Sequence, residues 1–394
     1  MECVKKMIDL KWSDIKRWHR DNSCQPLTYN IAMRIPHTVA GNESEYMGYH
    51  VAKSNLSAIL STHNWTTSFV KTQVLYLDER ITVNLLIEIH QWFRQNTLNI
   101  ENIVVVTTHT SGVSDWWKQW CALHQERSFS IIEWPFVRTV SWHRYFNWDE
   151  KLPGDVLPAK QQLLSAKSSM DKFFSFYGGR YAEPRRCWLT LKVSQLHNYG
   201  VIDFSSKFIP TKEEIINHVM YMGYFCDASE EDQIAELYDQ FVYDHKYKTN
   251  NDLLEIEHLK DFLGDIFCTG FQWAVDQRCF ASVVRETEFD APFSTVTEKT
   301  MRSFFHHMAV IPTGYKSVER LESLGFWFPH NLIDYQYQFE IDTIKRINVM
   351  INSIQSTVSK HSMDHLNQYF ISNIDNFRHN AQLVIDYYFT DLNP

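Results

Sequence analysis

The sequence contains no C-x-x-C pair, no G-x-G-x-x-G, no Asp-x-Asp and no apolar run long enough to span a bilayer. Without the glycine fingerprint, a dehydrogenase-type dinucleotide site has no support. Without Asp-x-Asp, one common way of holding Mn²⁺ or Mg²⁺ on a diphosphate is missing. The seven cysteines (Cys3, Cys24, Cys121, Cys187, Cys226, Cys268 and Cys279) are odd in number and scattered, with no signal-peptide pattern ahead of them. Reduced thiols and a cytoplasmic location are therefore expected. Positive charge is also short: 38 Lys and Arg stand against 47 Asp and Glu, a net charge of −9. That weighs against broad nucleic-acid affinity, though a local basic groove remains open.

At 394 residues the chain is long for one core, so two domains are expected. Aromatic residues make up 15%, a content that suits stacking on sugars or bases and suits large aromatic cores equally well. Residues 1–50 carry weak periodicity and place no element beyond a short helix near the start. From about residue 73 a strand–helix alternation begins. Val74–Leu77, Ile103–Val106 and Phe129–Ile132 read as buried strands, with helices over Ile81–Phe93 and Ser114–His124 between them. Such alternation predicts a parallel sheet with helices on its faces. Asp78, Glu79 and His109 then fall on strand-end loops, where a carboxylate or imidazole can act as general base or can cap the next helix. Arg138–Trp148 interleaves cations with aromatics, as a nucleic-acid or glycan contact or as a packed surface loop. Pro153, Gly154 and Pro158 mark a domain boundary near residue 158.

Beyond the boundary, Lys172–Tyr177 reads as a strand and leads into Gly178-Gly179-Arg180, with Arg185 and Arg186 opening a helix from Pro184. The glycines allow close backbone approach, and Arg180, Arg185 and Arg186 offer paired donors for phosphate oxygens. Phe280–Val284 reads as a strand ending in Arg285 and Glu286. Thr295 and Glu298 have capping-box spacing, which predicts a helix N-terminus there. That end suits an anion. Lys299 and Arg302, sharing one face of its first turn, conflict with the helix dipole unless an anion is bound. Asp227–Lys260 is acidic and helical in pattern, and Phe339–Asp391 predicts two long amphipathic helices. His361 and His365 are four apart, spacing that fits a metal pair or a solvated helix start.

Glu286, the Thr297-Glu298-Lys299 triplet, the proline–glycine turn at Pro312–Gly314 and Leu324-Gly325-Phe326 resemble the donor-site region of GT-B glycosyltransferases. The nearest likeness is to fucosyltransferases and to related enzymes of phages and large viruses. The resemblance is clearest between about residues 280 and 334. It departs from the usual pattern at His306 and His307, where small or apolar residues are more common. What it implies is an α/β protein of two Rossmann-like domains facing each other across a cleft. Residues 1–158 would form the acceptor-side domain, 159–350 the nucleotide-sugar domain, and 351–394 helices packing back on the first. Glu298 would hold the donor's ribose and Lys299 its diphosphate, with Arg180, Arg185, Glu286, Thr297 and Arg302 nearby. Glu79 would be the general base, with Asp78 and His109 as rivals.

The function expected is transfer of a sugar from a nucleotide-sugar co-substrate, GDP- or UDP-linked, to a glycan or other hydroxyl acceptor. Inversion, no metal and no other cofactor are expected. Two alternatives stay open: a non-catalytic nucleotide- or glycan-binding protein on the same scaffold, and a DNA-base glycosyltransferase of phage type, which the acidic charge disfavours.

Overall fold

The computed structural model describes residues 27–29, 73–77, 83–107, 113–133, 157–177, 184–203, 211–221, 228–245, 275–286, 296 and 298–389. The chain divides into two compact units: residues 1–144 with 293–296 and 387–394, and residues 145–292 with 297–386. Each contains a four-stranded sheet, and every strand pair in both sheets is parallel. Among the described residues no helix is long and apolar enough to cross a membrane.

In the first unit, β1 (Leu27–Tyr29), β2 (Gln73–Leu77), β3 (Ile103–Thr107) and β4 (Ser130–Glu133) lie in sequence order. The β-branched run of β3 suits a strand covered on both faces, and Ile103, Val104 and Val105 are buried. Helix α1 (Val83–Gln95) buries Leu86, Ile89 and Phe93 at helical spacing. Helix α2 (Val113–Leu123) buries Val113, Trp117 and Cys121. The Trp117 ring stacks on Phe129 at 4.5 Å and on Trp120 at 5.1 Å. Here the aromatic surplus builds core.

The second unit runs α3 (Lys160–Lys167), β5 (Lys172–Tyr177), α4 (Pro184–Ser194), β6 (Gly200–Asp203), α5 (Lys212–Tyr221) and α6 (Ala228–His245). It continues with β7 (Cys279–Val284), α7 (Glu298–Phe305), β8 (Ala309–Pro312), α8 (Ser317–Ser323), α9 (Thr343–Lys360), α10 (Met363–Ser372) and α11 (Ile374–Phe389). The strand order is β6-β5-β7-β8. Strand β7 is buried at every position, as a central strand of a parallel sheet must be. Pro312 closes β8, which among the described residues pairs only with β7, an edge position where its missing N–H is tolerated. Gly200 sits opposite Phe174, where a Cβ would meet the Phe174 ring at 2.4 Å, so only glycine fits. Gly325, at φ +94°, ends α8, with Phe326 N–H reaching Leu321 O at 3.1 Å.

One difference from the sequence expectations has a physical cause. The pattern over Phe339–Asp391 divides into three helices, because Ser362 caps α10 by accepting from His365 N–H, and the chain turns again at Asn373. Leu366, Phe370, Ile374, Phe377, Ala381 and Val384 are all buried, as the stripe requires. Residues 351–386 group with the second unit and 387–394 with the first. Their aromatic stripe meets β7: the Phe280 ring lies 6.1 Å from Tyr369 and 6.1 Å from Phe377.

Candidate functional site

The order β6-β5-β7-β8 reverses between β5 and β7, from which the chain departs to opposite sides of the sheet. In open α/β sheets a ligand crevice opens at such a point, outside the carboxyl ends of the strands. Here those ends are Tyr177 and Val284, leading toward Gly178-Gly179-Arg180 and into Arg285-Glu286. Helix α7 covers the face of the sheet that carries Ser175, Tyr177 and Ser282, because Ser303 Oγ donates to Ser282 Oγ at 2.9 Å.

Helix α7 spans Glu298–Phe305, and Thr295, the expected cap, lies outside the described residues. Lys299, in the first turn of the helix, is partly buried. Arg302 turns inward, its guanidinium 5.0 Å from the centre of the Tyr177 ring. Arg285 and Glu286 are both buried, and Thr300 Oγ1 donates to Glu286 Oε1. The polar strand end is thus engaged by α7. Arg185 is the second residue of α4, and Arg186 behind it is buried. The side chains of Arg185 and Glu298 lie outside the described residues, as do Asp78, Glu79, His109, Arg180 and Thr297 in full.

Beneath Arg302 lies a polar cluster that the sequence patterns did not flag. Asp276, fully buried, accepts from Ser175 Oγ at 2.8 Å and from Tyr177 Oη at 2.7 Å on Oδ1, and from His306 Nδ1 at 2.6 Å on Oδ2. Lys167 Nζ donates to Asp276 O at 2.7 Å and Cys279 O at 2.9 Å. Burial would raise the Asp276 carboxyl, but the bond and charge of His306, the charge of Arg302 and the Tyr177 bond hold it below its ordinary value. Burial pushes the Lys167 ammonium down to about 8, against the pull of Asp276. The Tyr177 hydroxyl is pushed well up, by burial and then by the Asp276 charge. His306 was marked in the sequence only as a departure from the family pattern; its pairing with Asp276 spans 30 residues, beyond any local signal.

Another buried cation fixes the loop after β8. Arg346 donates from Nε to Thr313 O at 3.1 Å and from Nη1 to Glu340 O at 2.7 Å. This ties α9 to the turn at the carboxyl end of β8.

Among the described residues no group of three or more His, Cys, Asp or Glu could hold a metal ion. His361 and His365 stack ring on ring at 4.6 Å, across the junction of α9 and α10. The described cysteines Cys121, Cys187 and Cys279 are unbridged and buried. Burial pushes the Cys187 and Cys279 thiols up to about 12.

Comparison with protein-family models, with curated proteins and with solved structures finds no match.

Proposed function

We propose that the second unit binds a nucleotide sugar and that the protein is a glycosyltransferase of the two-domain GT-B type, its two Rossmann-like domains facing each other across a cleft. It would move the sugar to a hydroxyl acceptor, with inversion and without a metal. One observation supports the reading: the strand order reverses between β5 and β7, and in the helix that follows β7 the Arg302 guanidinium, three residues on from Lys299, lies over Tyr177, the last residue of β5. The first turn of α7 supplies N–H groups and a positive dipole end for a diphosphate. Lys299 and Arg302 add charge that grows in value as the diphosphate leaves. The resemblance adds Glu298 for the ribose and Glu79, with Asp78 and His109 as rivals, for the acceptor's proton.

A thermal-shift screen against GDP, UDP, CMP and their sugars tests this directly. A ligand at a hundredfold its Kd stabilises by about 2.7 kcal/mol. One nucleotide class is expected to raise the melting temperature of the wild type, and Lys299→Ala is expected to weaken that binding about tenfold or more. Transfer or hydrolysis of the matching sugar, retained in excess chelator, is expected of the enzyme. Binding without turnover across a broad acceptor panel would favour the non-catalytic alternative. No shift with any nucleotide, or a shift unchanged in Lys299→Ala, would end the donor-site reading.

A further inference from the structure

Arg302 is a long side chain, and ordering it on a ligand costs rotamer freedom. In this fold that cost is met in advance. The guanidinium lies over the Tyr177 ring, and Tyr177 is the last residue of β5, at the edge of the crevice. The ring is not left to rotate, since its hydroxyl is bonded to Asp276. Asp276 is fixed in turn by Ser175 from β5 and by His306 from the end of α7, while Lys167 from α3 grips its carbonyl. Packing alone does not call for such a chain. Buried ionised groups pay a desolvation penalty, and apolar side chains of similar volume commonly serve as well or better. What this chain has that an apolar core lacks is a negative charge held rigidly below a cation stacked on the last residue of β5.

We propose that Tyr177, tethered to Asp276, is the positioning residue for Arg302, so that the guanidinium meets the ligand's phosphate oxygens already oriented. This deepens the nucleotide-sugar reading and rests on it. Tyr177 touches no ligand in the proposal; it acts through Arg302 alone. Asp276 and His306 act one and two bonds further back.

The test is a double-mutant cycle on full-length protein, with GDP and UDP as titrants in calorimetry. Tyr177→Phe keeps the ring under the cation and removes the tether. It is expected to weaken binding about fivefold to tenfold, and less than about twofold when Arg302 is already alanine, since coupled residues are non-additive. A merely structural role would weaken both backgrounds equally. Should Tyr177→Phe not fold, His306→Gln takes its place in the same cycle. Wild-type binding with an unchanged or fully additive Tyr177→Phe effect overturns the positioning role and leaves the donor site standing. A wild type that binds neither nucleotide overturns the donor reading, and the positioning role falls with it.

Discussion

His307 sits one residue past the His306–Asp276 pair, in left-handed backbone at φ +57°, fully buried, with neither ring nitrogen bonded to a described residue. Burial, and then the charges of Lys167, His306 and Arg378, push its imidazole down to about 3. The sign follows from linkage. Between the unfolded value near 6.5 and the folded value, the unfolded chain takes up a proton that the native state refuses, so stability falls as pH falls. From pH 7 to pH 5 this residue alone is expected to remove about 2 kcal/mol. His307→Phe keeps a ring of similar size and cannot titrate. Urea melts at the two pH values are expected to show a smaller acid loss in that variant, and an equal loss would refute the assignment. The residues around it also have partners that spacing along the chain does not carry: Thr300 donates to Glu286, and the Arg302 guanidinium lies over Tyr177.

At the scale of elements, β7 organises the second unit. Its Phe280 ring stacks with Phe173 of β5 at 5.9 Å and meets Tyr369 and Phe377 edge-on. The C-terminal helices rest on this strand because their apolar stripe and its aromatic side chain bury each other; Lys160 on Asp375 adds an exposed ion pair worth little. Phe280→Ala is expected to cost about 3–5 kcal/mol in denaturant unfolding. A loss below about 1 kcal/mol would mean that α10 and α11 do not depend on β7 for their seating. The strands themselves were legible: Lys172–Tyr177 matches its sequence reading, and Cys279–Val284 falls within a residue of its own. Apolar runs bounded by charge or glycine announce buried parallel strands. The short strands β1 and β6 carry no such run, and Gly200 opens β6 for a reason that lies on β5.

At the scale of the whole molecule, the two units carry separate sheets, and the proposed diphosphate site draws on the second alone. Hydrogen exchange therefore gives a test that no point variant does. With a bound nucleotide, backbone amides at 284–286 and 298–302 are expected to exchange more slowly, while those of β3 at 103–107 keep their rates. Protection confined to the first unit would move the site away from the β5/β7 crevice. The net charge of −9 belongs to this scale as well, as an argument about partners rather than fold.

The sequence alone determined the α/β class, most of the strands and the buried stripe of the C-terminal helices, because apolar periodicity is a local property that each segment carries in itself. Only tertiary structure decided the order β6-β5-β7-β8, the seating of α10 and α11 on β7 and the inward turn of Arg302. It alone brought Asp276, His306, Ser175 and Tyr177 together, across separations of 30, 101 and 99 residues. Hydrogen bonds of that span depend on which strands become neighbours, and no window along the chain contains that information.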